Sequence, residues 1–173
     1  MQIRGLLLCA AIFVSAMSSA RAEMRIAEDR GGQIGRYLQT FAMVRASGER
    51  VIVDGNCLSA CTLILGVVPK SRICATHRAR FGFHAAWMPD EDGRPVTSRM
   101  GTQALWEVYP ASVRRWINAH GGLTRHMIFM QGNALNGIVP SCFGSREQTV
   151  RSHQRYRGTP ASYQNARASS DRR

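Results

Sequence analysis

Gly55-Asn56-Cys57-Leu58-Ser59-Ala60-Cys61 follows the β-branched run Val51-Ile52-Val53 and precedes the small apolar segment Thr62-Leu63-Ile64-Leu65-Gly66. Residues 50–53 read as a strand, Asp54-Gly55-Asn56 as the turn closing it, and residues 59–66 as a short helix. Ser59 therefore stands where a strand hands over to a helix. The first-turn amides of such a helix point outward and favour developing negative charge, which is where an α/β fold presents a nucleophile. A plain helix N-cap is the other reading of the same serine.

Working outward, residues 24–27 form a short apolar stretch before the turn Asp29-Arg30-Gly31-Gly32. Ile34, Leu38, Phe41, Ala42 and Ala46 then recur at helical spacing until Ser47-Gly48. Downstream, residues 71–75 and 80–85 read as strands, and residues 88–97, with Pro89, Asp90, Asp92, Gly93 and Pro95, as a surface loop. Met100, Ala104, Leu105 and Val108 share one helical face, and Pro110 opens a second helix through Val113, Trp116 and Ile117 that His120-Gly121-Gly122 ends. Residues 127–130 are predicted as one more helix and residues 135–139 as a closing strand before Pro140. Strand and helix alternating in this way predict a largely parallel sheet with right-handed crossovers.

Two further features belong with the Ser59 turn. Gly31-Gly32, at a comparable strand-to-helix turn, offers bare backbone N–H groups, and two such turns side by side form an oxyanion hole. His84 closes the later strand Arg80-Phe81-Gly82-Phe83 and reaches the same edge of the sheet. Each has a bland alternative, a simple turn and a structural histidine.

In this order, Gly31-Gly32, Gly55-x3-Ser59-Ala60, Ser71-Arg72-Ile73-Cys74 and Arg80-Phe81-Gly82-Phe83-His84 resemble the ClpP/crotonase superfamily, and within it the proteolytic subunits of Clp proteases. The resemblance spans roughly residues 25–143 and is strongest over residues 51–84. It implies a ClpP/crotonase-like α/β domain over residues 23–144, a parallel β-sheet with right-handed ββα and βα crossovers, lacking the family's N-terminal strands. It implies Ser59 as nucleophile, His84, 25 positions later, as general base, and the amides of Gly31 and Ala60 as the oxyanion hole. The chemistry it implies is acyl transfer through an acyl-enzyme, on a peptide or a small ester.

The chain departs from the family at three places. Glu28-Asp29-Arg30 precedes the Gly-Gly turn and puts a carboxylate or a guanidinium at the cleft mouth. The family's third triad member, an aspartate, falls within Thr124-Arg125-His126-Met127, which has no carboxylate. Asp90 or Asp92, or Glu107, are the candidate substitutes; a solvent-facing loop is the other reading of Asp90 and Asp92. Finally, Cys57 and Cys61 flank Ser59. Two functions follow: a serine hydrolase using Ser59 and His84, or a non-catalytic relative whose cleft binds a partner at the cell envelope.

Residues 1–22 read as a signal peptide, with a basic start at Arg4, an apolar core over residues 6–14 and Ala20-Arg21-Ala22 at the cleavage site. A retained anchor is the competing reading, but Ser15, Ser18, Ser19 and Arg21 interrupt the apolar run well short of the roughly 20 residues a span requires. The expected location is periplasmic or secreted. Export makes disulfides the default for Cys57, Cys61, Cys74 and Cys142, in any of three pairings. Bonded, they would brace the turn carrying Ser59; a free Cys61 would be a reactive thiolate. A zinc site is disfavoured because Cys57-x3-Cys61 lacks a second close ligand pair.

The formal net charge of +12 directs any partner towards anions. Residues 145–173 carry seven Arg against Glu147 and Asp171 and one branched aliphatic residue, Val150. They read as a basic disordered tail, solvated or touching an anionic envelope surface. Nucleic acid is not expected for an exported chain. An oligomer is left open. Gly31-Gly32-x2-Gly35 is no dinucleotide fingerprint, and His77, His120, His126 and His153 have no ligand spacing, so neither cofactor nor metal is expected.

Overall fold

Val51, Val53 and Cys57 are fully buried along β2 (Arg50–Leu58), the axis of a five-stranded sheet in the computed structural model, which describes residues 22–143. Apart from Ala22, the expected signal peptide lies outside the described residues, as does the basic tail. One edge of β2 pairs with β1 (Glu23–Asp29). Its other edge is shared: the first half takes β3 (Ile73–Ala75), with Val51 opposite Ile73, and the second half takes β4 (Arg80–Phe83), with Leu58 opposite Gly82. These four strands run parallel, and β7 (Ile128–Gln131) adds antiparallel to β4. The fold is thus mixed α/β with a mainly parallel sheet.

Between β1 and β2 the chain runs through α1 (Ile34–Ser47), which buries Phe41 and Val44 and ends at Gly48 with φ 78°. Glycine adopts that left-handed end without penalty. After β2 a 3-10 turn (Ser59–Leu63) leads into α2 (Ile64–Val67), and the Ala60–Ile64 segment is buried throughout. A two-stranded hairpin, β5 (Trp87–Pro89) with β6 (Pro95–Thr97), follows β4, and α3 (Arg99–Val108) and α4 (Ala111–Ala119) pack Leu105, Tyr109, Val113 and Ile117 into the core. No helix among the described residues is long and apolar enough to cross a membrane.

Four sequence expectations are corrected. Asp54-Gly55-Asn56 is not a turn; β2 runs straight through it. The Asp54 carboxylate is not spent on a solvent turn but accepts from Thr76 Oγ1 at 2.7 Å, from Arg25 at 2.6 Å and from the guanidinium of Arg78. The register to β1 shifts between Ile26 and Glu28, and Gly55 lies so close there that any Cβ would overlap the Ala27 carbonyl. The tail end of the domain is also exchanged in type. Residues 128–131 form a strand where a helix was predicted, because four-residue apolar runs carry no decisive period and β4 offers a free edge. Residues 135–139 form no strand: a 3-10 turn (Gly132–Leu135) precedes them, and the chain returns to β3 only at a single bridge between Ala75 and Ser141. The loop predicted at residues 88–97 is the exposed β5–β6 hairpin.

Candidate active site

The C-terminal ends of β1, β2 and β4 lie side by side, with Asp29 opposite Cys57 and Leu58 opposite Gly82. Open parallel sheets bind ligands at this edge. Ser59 is the first residue beyond β2. Its φ is 55°, and among the described residues it is the sole non-glycine with positive φ. An L-residue in this region costs roughly 1–2 kcal/mol. Strain of this kind survives where surrounding contacts impose it.

Two contacts do so here. Cys57 and Cys61, both fully buried, form a disulfide that closes a five-residue loop with Ser59 at its centre. Against that loop lies Gly31, φ 80°, so closely that a Cβ on it would stand 2.5 Å from the Leu58 carbonyl oxygen, 2.6 Å from Ser59 Cβ and 2.9 Å from the Ala60 nitrogen. The predicted glycine turn and serine turn are therefore in van der Waals contact. The four cysteines pair Cys57–Cys61 and Cys74–Cys142, one of the three open arrangements.

His84 is the first residue beyond β4, half-buried, two positions after the residue that pairs with Leu58. Its Nδ1 lies 2.7 Å from the Ala85 carbonyl oxygen. A carbonyl only accepts, so Nδ1 carries the proton and the lone pair of the neutral ring is on Nε2. No hydrogen bond joins the Ser59 hydroxyl to the His84 ring. The segment Thr124-Arg125-His126-Met127 packs behind it: the Thr124 carbonyl accepts from Ala85 N at 2.7 Å, and the Met127 thioether covers Gly82. Asp90 and Asp92 do not meet His84. Asp90 accepts from the amides of Asp92 and Arg94 within the hairpin, and Asp92 pairs with the Arg94 guanidinium. Glu107 accepts from Gln103 on the exposed side of α3.

The cleft mouth holds a carboxylate. Asp29 Oδ1 accepts the Gly31 N–H at 2.8 Å and the Tyr37 hydroxyl at 2.5 Å. The Gly31 amide, expected to face an oxyanion, is thus occupied by the chain itself. Tyr37, one turn into α1, is pushed up to about 12, by burial first and by the bond to Asp29 second. Neighbouring Glu28 turns away to Asn56 Nδ2, 2.8 Å, and to Arg30, 3.7 Å, whose side chain is largely in solvent. Sequence reading flagged the carboxylate but missed Tyr37, whose placement three residues after Ile34 was its one signal. The Ala85 carbonyl, being backbone, left none.

Beside His84 opens a cavity of about 740 Å³ between the hairpin, α3 and α4, lined by Ala85, Met100, Gln103, Trp106 and Leu123 among others. Close by, α3 approaches the chain after β4, where Gly101 lies against Ala86 and a Cβ would stand 2.8 Å from the Ala86 Cβ. The Ser98 hydroxyl caps that helix on Gly101 N, and Thr102 Oγ1 accepts from Ala86 N. Met100 in its lining, and Trp87, Met88 and Val96 on the hairpin, leave their apolar surface exposed.

No family model matches the chain, and no curated protein matches it. Among solved structures it is similar to a mutant of ClpP1 from Listeria monocytogenes, with 16% sequence identity, a TM-score of 0.43, and coverage of 74% of this chain and 77% of that one.

Proposed function

We propose that this chain is an exported serine hydrolase with a ClpP-like fold, cleaving a peptide or a small ester through Ser59 and His84. The observation that carries the reading is the backbone of Ser59: one non-glycine residue is held in the left-handed region, at a strand-to-helix turn, with a glycine turn pressed against it. Local strain concentrates at functional sites. In this mechanism His84 Nε2 takes the Ser59 proton as Oγ attacks the acyl carbon. The Ala60 and Gly31 amides hold the oxyanion, and the resulting imidazolium returns the proton to the leaving group. Water then resolves the acyl-enzyme by the same steps. With Nδ1–H fixed on a main-chain carbonyl, the ring has an orienting acceptor that carries no charge, so it stabilises the imidazolium less than a carboxylate does. The cavity past Ala85 receives the apolar part of the substrate. The basic tail rests on an anionic envelope surface, and neither nucleic acid nor a cofactor takes part.

A second reading, a non-catalytic envelope binding protein on the same scaffold, is favoured by one observation, the Asp29 carboxylate on the Gly31 amide. A fluorophosphonate probe on the oxidised protein separates the two. Labelling at Ser59 that Ser59→Ala abolishes supports the hydrolase. No labelling from about pH 6 to about pH 9, across the protonation range of an imidazole, would overturn it.

A further inference from the structure

We propose that Asp29 is the specificity-determining residue of this site, selecting substrates that carry a cationic group beside the reacting carbonyl. The inference rests on the hydrolase reading of Ser59 and His84.

The Gly31 amide serves one acceptor at a time, and Asp29 Oδ1 holds it. An ionised carboxylate is a stronger acceptor than a neutral ester or peptide carbonyl, so a neutral substrate competes poorly for that N–H. To leave, the carboxylate needs new partners. The Tyr37 hydroxyl is bound to it already. Among the described residues no cationic side chain is paired with it. Arg25 and Arg78 are committed to Asp54, Arg30 to Glu28 and Arg94 to Asp90 and Asp92, and no ion pair reaches Asp29 among the described residues. In a chain with a surplus of cations, this half-buried carboxylate beside the Ser59 turn has no cationic partner among the described residues.

A substrate ammonium or guanidinium completes it. Such a group draws Asp29 from Gly31 at the moment the carbonyl arrives, so the amide becomes a donor only when the matching substrate is present. Neutral substrates meet an occupied oxyanion turn, and anionic ones are repelled.

The test compares the p-nitrophenyl esters of Nα-acetyl-lysine and Nα-acetyl-norleucine, in which acetylation removes the α-ammonium from both and leaves the side-chain charge as the difference. The wild-type protein is expected to favour the lysine ester by about tenfold in kcat/KM. Asp29→Asn, which keeps the acceptor for the Gly31 turn but not the charge, is expected to bring the ratio close to one, chiefly by raising kcat/KM for the norleucine ester. An unchanged ratio in Asp29→Asn, or an equal loss on both esters, overturns the proposal.

A binding arm works without turnover. In Ser59→Ala protein followed by amide NMR, Nα-acetyl-lysine methyl ester is expected to shift the Gly31 N–H, Nα-acetyl-norleucine methyl ester to leave it in place, and Asp29→Asn to abolish the difference. Equal shifts from both esters, or none from either, overturn the inference. If neither p-nitrophenyl ester is turned over while the lysine-specific shift persists, the hydrolase reading fails and the cation site stands.

Discussion

Gly31 and Ser59 touch across the edge of the sheet, and the contact leaves no room for a side chain on the glycine. Gly31→Ala places a methyl group against backbone atoms of Leu58 and Ala60 and asks alanine to adopt φ near 80°. Neither neighbour is the free end of a flexible side chain, so the two turns must separate. The expected result is a loss of at least about 2 kcal/mol in urea unfolding. A greater than tenfold fall in fluorophosphonate labelling of Ser59 is expected with it, because about 1 Å of misplacement at a reacting centre is enough to cost that much. Gly137→Ala, also at positive φ but with open space around its Cβ, is the control for the conformational part alone.

His84 is expected to be locked in one tautomer. With Nδ1–H on the Ala85 carbonyl at 2.7 Å, the neutral ring shows a pyrrole-type signal for Nδ1 and a pyridine-type signal for Nε2 in nitrogen NMR. The opposite pattern would leave no lone pair for Ser59. His84→Ala is expected to slow Ser59 labelling by about 10² to 10⁴, the usual contribution of a general base. Asp90→Asn and Asp92→Asn are expected to leave it unchanged, since both carboxylates are spent within their own hairpin.

The two disulfides are expected to separate in their effects. Cys74–Cys142 spans 68 positions and Cys57–Cys61 only four. In the loop-entropy account, losing the long bridge costs about 4 kcal/mol and losing the short one about 2 kcal/mol. Function should rank the other way. Cys57→Ala/Cys61→Ala frees the loop around Ser59 and is expected to lower labelling at least tenfold in protein that is still folded. Cys74→Ala/Cys142→Ala lowers the midpoint of unfolding more and leaves labelling of the folded fraction close to that of the parent. Urea titration and probe labelling on the same samples check both orders.

What the sequence made legible was mostly local. The β-branched run at residues 51–53, the helical spacing from Ile34 and the Gly48 stop all act within a few residues, and the observed bounds of α1 and α3 follow them closely. Asp54-Gly55-Asn56 misled because its composition is that of a turn, while its role is set by residues far along the chain: Arg25, Thr76 and Arg78 bury the aspartate, and the Ala27 carbonyl demands the glycine. Residues 128–131 misled for a related reason, since a short apolar run takes its conformation from the strand it meets. At the site, the glycines, Ser59 and His84 stood out through side-chain chemistry and order. The Ala85 carbonyl could not, being backbone, and Tyr37 had only its helical placement after Ile34 to mark it, because its partnership with Asp29 exists only after β1 and α1 have folded against each other.

Asp54 gives the fold a predictable response to acid. Its carboxyl is held well below the usual carboxylate range, first by the hydrogen bonds from Arg78, then by that from Thr76, with Arg25 adding to them against the opposing effect of burial. Because the folded group binds its proton less tightly than the unfolded one, its stabilisation is complete above about pH 4, the ordinary carboxylate range. It is lost as pH falls further, through the depressed folded value. Asp54→Asn removes this contribution and leaves Arg78 and Arg25 without their charged acceptor. The variant is therefore expected to melt well below the parent at pH 7. The difference should stay nearly constant down to about pH 4 and narrow only below it. Thermal melts of both proteins across that range check the sign: a difference that instead widens as pH falls would mean that the Arg25–Asp54–Arg78 cluster does not hold the carboxylate in its charged form.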